Sequence, residues 1–368
     1  MMIMNITNAP ELADLVTFLP NRTEPIHNWY WYKEGYSRAL VERFLKEFKP
    51  RNVLDPFCGV GTTLLTCKQN SIESIGFDTS PIAVFVSRVK TRDYDLESLK
   101  AAAKLARSWK FVAPKKLPQD KWIVRAFSKY ALQDAVFYKN NILEMEDENS
   151  RDFLLLALID SALKASYAFK DGAYVKIRKE TRPPLKILFR NKVHRMVKQL
   201  ETNPVPQTCA RAEIGDARKL DVADASIDAV ITSPPYLNKI EYTTIYKIEN
   251  SLFFSLPETS LRSYIGSDIN ETTDFPQMPP AAQAYFTDMA KVMKELRRVC
   301  KPGAKLAIVI GGGCFPTEVV NVDEVLVGIA ESIGFKCEKV LAAREMWCTR
   351  AANEKVGRVR ESVVILEA

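Results

Sequence analysis

The 368-residue sequence predicts an α/β fold, a doubly wound and mostly parallel sheet interrupted by a large helical insertion. Three observations lead there. Short apolar runs at residues 52–54, 72–77, 211–214, 227–231 and 305–310 alternate with helix-like stretches, the pattern of a parallel sheet covered by helices. A glycine turn, DPFCGVGTT at Asp55 to Thr63, joins the first run to a helix. Asp55, Asp78, Asp216 and Ser233 each lie close behind an apolar run. Those are the carboxyl ends at which such sheets hold ligands, so one crevice can collect all four.

Residues 1–25 carry Pro10, Pro20 and Pro25 and read as irregular or as a short helix. An aromatic segment follows, in which Trp29 and Trp31 suit core packing as well as a lid over a ligand. Ser37 is a good N-cap for a helix with an apolar stripe of Leu40, Val41, Phe44, Leu45 and Phe48. In the glycine turn, Gly59 and Gly61 permit positive φ and close approach of backbone to a ligand. The helix N-terminus behind them presents unpaired N–H groups. The second apolar run ends in Asp78, where a carboxylate can hold a ribose diol. A nucleoside cofactor is implied. The dinucleotide fingerprint G-x-G-x-x-G is met incompletely, because Leu64 stands at its third glycine.

Further helices are expected at 80–89, 96–109 and 151–167, and no clear buried strand is legible between 91 and 205. Pro183-Pro184 separates an extended piece from another helix. The sheet resumes at 211–214, closing in Gly215-Asp216-Ala217, and again at 227–231, which runs into Thr232-Ser233-Pro234-Pro235-Tyr236. Two prolines lack backbone donors and force a rigid exit from that strand. Residues 242–254 read as helical, 255–280 as a long polar loop, and 281–300 as a helix stopped by Lys301-Pro302-Gly303. After the strand at 305–310 come a helix at 322–333 and two last strands at 337–341 and 362–366. The chain thus divides into 1–90 (lid segment and first part of the sheet domain), 91–205 (basic insertion) and 206–368 (remainder of the sheet domain).

Composition is that of a soluble globular protein, 47% apolar and 26% charged. No run of ~18 apolar residues predicts a membrane span, and no basic-then-apolar start predicts a secretory leader. Seven cysteines without metal or redox spacing point to a reducing, cytoplasmic setting with mostly buried thiols. Only two histidines, His27 and His194, are present, and no metal site is expected. The net charge of +7 is unevenly placed: residues 90–198 hold 24 Lys and Arg against 13 Asp and Glu. The densest part runs through Lys176, Arg178, Lys179, Arg182, Lys186, Arg190, Lys192, Arg195 and Lys198. Such a stripe suits a phosphate backbone, or else a solvated helical face.

Together, DPFCGVGTT and TSPPY resemble the amino-group DNA methyltransferases, which use S-adenosylmethionine. The resemblance covers Ile26 to about Phe85 and Ala212 to the C-terminus, not the middle. It implies a seven-stranded, Rossmann-like methyltransferase sheet. It also implies cofactor contacts at Tyr36 and Ser37 over the methionine end, and at Asp55, Phe57, Gly59, Gly61 and Thr62 in the glycine turn. Asp78 would meet the ribose, and Asp216 and Ala217 the adenine. Ser233, Pro234, Pro235 and Tyr236 would be catalytic: Ser233 and the Pro234 carbonyl accept the N–H groups of an amine, and Tyr236 stacks on a flipped base.

Methylation at carbon 5 needs a cysteine after proline, and no cysteine here follows one. In the family, serine before Pro-Pro is more often seen with cytosine N4 than with adenine N6, so N4 is the expectation and N6 the alternative. RNA guanine N2 methyltransferases share DPF-x-G-x-G-T, but usually carry Asp-Pro-Pro-Tyr and a sizeable N-terminal RNA-binding domain. A DNA-binding regulator on the same fold is the non-enzymatic alternative, against which the intact Ser233 to Tyr236 stands. Unlike the family's common motif orders, the large insertion precedes Gly215-Asp216-Ala217. It is the expected target-recognition region, aided by the 255–280 loop. Expected partners are double-stranded DNA and a cognate restriction endonuclease, with no membrane.

Overall fold

The computed structural model describes residues 6–171, 174–237, 245–254, 265, 275, 277–315, 318–349 and 355–368. Along the chain run β1 (Ile6–Asn8), α1 (Arg38–Phe48), β2 (Asn52–Asp55), α2 (Thr62–Gln69), β3 (Glu73–Asp78) and α3 (Pro81–Thr91). The insertion holds α4 (Leu96–Ser108), α5 (Lys121–Ala126), α6 (Lys129–Leu143), α7 (Glu148–Ala165), a hairpin of β4 (Ala168–Asp171) and β5 (Tyr174–Ile177), and α8 (Leu185–Thr202). Then follow β6 (Ala210–Ile214), β7 (Ile227–Thr232), α9 (Pro280–Val299), β8 (Cys300–Gly311), β9 (Gly313–Cys314) and β10 (Val319–Val320). The chain closes with α10 (Val322–Ser332), β11 (Lys336–Thr349) and β12 (Lys355–Glu367).

The main sheet has the order β1-β11-β12-β8-β7-β2-β3-β6. It is parallel except for β12, which runs antiparallel between β8 and β11. All seven expected strands are there. An eighth comes from the lead-in: β1 pairs with β11 at the edge, Ile6 opposite Val340. Three exposed residues are too few to show alternation in a sequence. Strand order reverses between β2 and β7, which leaves a crevice at their carboxyl ends.

Both faces of the sheet are covered, which is why its strands read as nearly unbroken apolar runs. Val53, Ala229, Ile231, Ala307 and Val309 pack with Leu40, Val41 and Phe44 of α1. The alternate residues Leu54, Val230, Leu306, Ile308 and Ile310 pack with α9 and α10. The Ser37 hydroxyl caps α1 as expected, accepting the Leu40 N–H at 3.2 Å. Lys301-Pro302-Gly303 does not form a stop of its own: β8 begins at Cys300, and Gly303, at φ +81°, sits in a register irregularity opposite Ile227–Ala229. Glu249–Phe254 winds as a π-helix. Residues 242–244 and most of the 255–280 loop lie outside the described residues.

The insertion does not stand apart from the rest. Its helices share one core with the aromatic lead-in, with Val86 and Val89 of α3, and with Ile245 to Phe253. Trp29 is fully buried, edge-on to Phe153 at 5.4 Å, and donates its indole N–H to Gln199 at 2.7 Å. Trp31 packs against Phe18, with Arg22 4.3 Å over its ring. Helices α5 and α6 and the β4–β5 hairpin add to the patterns read at 96–109 and 151–167. One member of the basic stripe is spent internally: Lys192 is buried, pairs with Asp160 at 2.8 Å and donates to the Trp29 carbonyl. Among the described residues, no helix is long and apolar enough to cross a membrane.

Candidate active site

The glycine turn after β2 places Gly59 at φ +49° and Gly61 at φ +77°. The Gly59 N–H donates to Asp78 Oδ2 at 2.9 Å, and the Ser80 N–H donates to Oδ1 at 2.8 Å. Backbone from two elements thus aims the carboxylate at the tip of β3. Burial lifts its pKa to about 6, while the two N–H bonds pull the other way. Gly61 serves packing: a Cβ there would lie 2.3 Å from Ser87 Oγ, so only glycine lets α2 start this close to α3.

A cavity of about 470 Å³ opens beside these strand ends. Phe57, Asp78, Asp216 and Ala217 line it, together with Ser233, Pro234, Pro235 and Tyr236. Tyr32 to Gly35 also line it, as do Tyr246 and Asn250. The Tyr32 and Tyr246 rings stack at 5.7 Å, and the Tyr246 hydroxyl donates to Glu34 at 2.8 Å. Arg344, Met346 and Glu361 complete the lining from β11 and β12.

Six residues named from the sequence are not in that lining: Tyr36, Ser37, Asp55, Gly59, Gly61 and Thr62. Asp55 is turned inward at 1% exposure, accepting the Thr232 hydroxyl at 2.6 Å and the Phe57 N–H at 3.2 Å. The Tyr36 hydroxyl lies 3.0 Å from Asp55, 2.5 Å from Thr63 and 3.2 Å from the Ile231 carbonyl. This network ties the segment leading into α1 to β2, α2 and β7, outside the cavity lining. Ser37 is fully buried at its cap, and Thr62 is buried in the first turn of α2. The segment just before them, Tyr32 to Gly35, reaches the cavity instead.

Asp216 lines the cavity but is gripped by Arg218, whose Nη2 lies 2.6 Å from its Oδ2 and whose Nη1 reaches Asp288 at 3.0 Å. Burial alone would push the Asp216 pKa up, but the Arg218 hydrogen bonds outweigh it and hold the carboxyl below its ordinary value. The Tyr236 ring lies over Gly311, where a Cβ would come within 2.7 Å of it. Its hydroxyl donates to Glu361 Oε1 at 2.6 Å, and Arg344 holds the other oxygen of Glu361. Burial, then the Glu361 charge, raises the Tyr236 pKa well above its ordinary value. No local motif marks Arg344 or Glu361. The one signal was a carboxylate leading into the apolar run Val363 to Leu366.

The residues present fit a nucleoside cofactor. An oriented carboxylate at Asp78 can accept both hydroxyls of a diol. Phe57 and Ala217 offer apolar surface beside Asp216, and the cavity is large enough for a small nucleotide-sized ligand.

This strand order, with an anchored carboxylate after β3 and Ser-Pro-Pro-Tyr after β7, is the architecture of a Rossmann-like methyltransferase. Comparison narrows the class. Residues 16–86 match the sequence model of the DNA methylase family. The Type II methyltransferase M.BsoBI of Geobacillus stearothermophilus is 27% identical over 96% of this chain and 87% of its own length. M.AvaI of Nostoc sp. is 24% identical over 89% of this chain and 82% of its own. M.MjaII of Methanocaldococcus jannaschii is 42% identical over 81 residues, 22% of this chain and 15% of its own. These matches bear out the resemblance to the amino-group DNA methyltransferases and imply S-adenosylmethionine as the cofactor.

Proposed function

We propose that the protein methylates the exocyclic N4 amine of cytosine in double-stranded DNA, on a base flipped into the cavity. The observation that carries this reading is that Ser233 and Pro234 line the same cavity as Asp78 and Asp216. Serine rather than an acid or amide before Pro-Pro favours cytosine over adenine. Asp78 would hold the cofactor ribose, with Phe57, Asp216 and Ala217 around the adenine. When bound, the cofactor supplies an electrophilic methyl on a sulfonium sulfur; its transfer breaks the C–S bond, forms the C–N bond and releases one amine proton.

Residues of this chain make the amine ready for that. An exocyclic amine is a poor nucleophile because its lone pair is delocalised into the ring. Ser233 Oγ and the Pro234 carbonyl accept its two N–H groups, which draws the nitrogen towards tetrahedral geometry and frees the lone pair. Fixing the two reactants in line contributes the rest, chiefly by orientation. Tyr236 stacks on the extruded base, for which aromatic–base contacts are worth ~1–3 kcal/mol. The exposed cations of α8, Lys186, Arg195 and Lys198, are the candidates to grip DNA phosphates. Since the relatives above are Type II methyltransferases, a cognate restriction endonuclease is the proposed companion.

Mass analysis of nucleosides from DNA and RNA treated with labelled cofactor tests this reading. N4-methylcytosine in DNA is the expected product. N6-methyladenine would replace the base assignment, and label in RNA alone would overturn the DNA substrate. Ser233→Ala should lower turnover while leaving cofactor affinity near wild type.

A further inference from the structure

A second cavity, of about 270 Å³, is walled mostly by the insertion. Trp31, Trp122 of α5 and Phe169 of β4 give it three aromatic rings, and Asp160 of α7 and Glu249 give it two carboxyl groups. The two cavities share a partition. The segment 245–254 presents Tyr246 and Asn250 to the first, and Ile245, Ile248 and Glu249 to the second.

Charge and hydrogen bonding say what the second cavity suits. Asp160 is 4% exposed and Glu249 is fully buried. Lys164 and Lys192 both reach Oδ2 of Asp160, at 2.6 and 2.8 Å, which leaves the lone pairs of Oδ1. Glu249 Oε1 accepts the Tyr30 hydroxyl at 2.5 Å. The two carboxyl groups are thus matched by two ammonium groups, and a third, on Lys247, lies 5.5 Å over the Trp122 ring. Among the described residues, no surplus of negative charge is there to draw an organic cation. The walls suit a neutral, flat ring that stacks on an aromatic face and donates N–H groups from its edge. A nucleobase has that chemistry. Lys164, half exposed, lines the same cavity. The strand that contributes Val175 continues into exposed Lys176, Arg178 and Lys179, the charge that a phosphate backbone calls for.

We propose that this cavity takes a second nucleobase of the bound DNA, drawn out of the stack near the target base. The inference rests on the proposed methylation of a flipped base and goes beyond it. A base outside the reaction is then read by its N–H edge against buried carboxyl groups, a specificity that groove contacts need not supply.

The fluorescence of 2-aminopurine tests this, with the probe set in turn at each position around the target, in both strands of a duplex that the protein methylates. On binding, the target position should respond, and so should a neighbouring one. Unstacking beside a flipped base also alters fluorescence, so a variant decides. Ala168→Leu adds bulk at a half-buried position of the lining. It should abolish the neighbouring response, keep the target response, and weaken DNA binding roughly 10-fold or more through the lost stacking. If thermal melting shows that Ala168→Leu does not fold, Trp122→Ala removes an aromatic wall and should give the same split. A neighbouring response that survives in the folded variant, or none in the wild type, would overturn the inference. Silence at the target position as well would remove the reading of a flipped base on which it rests.

Discussion

Gly59 and Asp78 are joined by one hydrogen bond, 2.9 Å from the backbone N–H of the turn to the carboxylate at the tip of β3. It couples two strand ends that lie side by side in the sheet. The glycine turn therefore holds Asp78 in orientation at the edge of the cavity without lining the cavity through Gly59 itself. A carboxylate so placed has lost much of its water, which is why its pKa rises to about 6.

That shift predicts a pH dependence. Asp78 is partly buried at the cavity and loses much of its hydration there, so it takes up a proton as pH falls through about 6, above the 3.8 of an ordinary aspartate. The raised value means that the ionised form costs the folded protein stability, a cost that grows as pH climbs from the unfolded to the folded value. Cofactor binding should follow the opposite trend, weakening below about 6 as the diol loses its charged acceptor. Titration calorimetry across that range should show the loss in the wild type and a flat profile in Asp78→Asn, with affinity lower roughly 10-fold or more. A flat wild-type profile would remove Asp78 from the cofactor site.

Tyr36 should behave as a brace. Its hydroxyl joins Asp55, Thr63 and the Ile231 carbonyl in a buried network outside the cavity lining. Tyr36→Phe leaves those partners short of one bond and should cost about 1–3 kcal/mol in urea denaturation. Cofactor affinity should stay within a few-fold of wild type. A large loss of affinity with stability intact would return Tyr36 to the cofactor site.

The basic helix divides into two kinds of cation. Neutralising Lys186, Arg195 and Lys198 together should flatten the slope of log DNA affinity against log salt by roughly 0.9 for each phosphate no longer neutralised, with stability little changed. Lys192→Met should do the reverse. It leaves Asp160 without one of its buried partners, at a cost of about 3–5 kcal/mol by thermal melting, and the salt slope should not move.

Gly61→Ala should be among the most destabilising single changes in the turn. It combines φ +77° with a Cβ that meets Ser87 Oγ at 2.3 Å. Adding Ser87→Ala should restore only part of the loss, because Ser87 Cβ and Cα also lie at 3.0 and 3.1 Å. Full rescue in denaturant melts would show that the hydroxyl alone was the obstacle.

The order of elements was legible in the sequence because each signal is local. Val53 and Leu54, or Val230 and Ile231, sit in strands buried on both faces, so the whole run is apolar whichever face a residue serves. Ser37 announces α1 by its own hydroxyl, and Asp78, Asp216 and Ser233 announce strand ends by following apolar runs. Those facts fix the seven principal strands and bring three of the four strand-end residues to one cavity.

What the sequence could not decide was direction and distance. Asp55 ends its strand just as Asp78 does, yet Thr232 and Tyr36 turn it inward while Gly59 and Ser80 leave Asp78 at the cavity. Lys192 reads like its basic neighbours until α8 is packed and Asp160 lies beneath it. Arg344 and Glu361 reach Tyr236 only because β12 runs antiparallel beside β8 and carries its residues to the end of β7. Local pattern follows from a residue's own backbone and its near neighbours. The partner of a buried polar group is chosen by which strands lie side by side, and only the folded chain makes that choice.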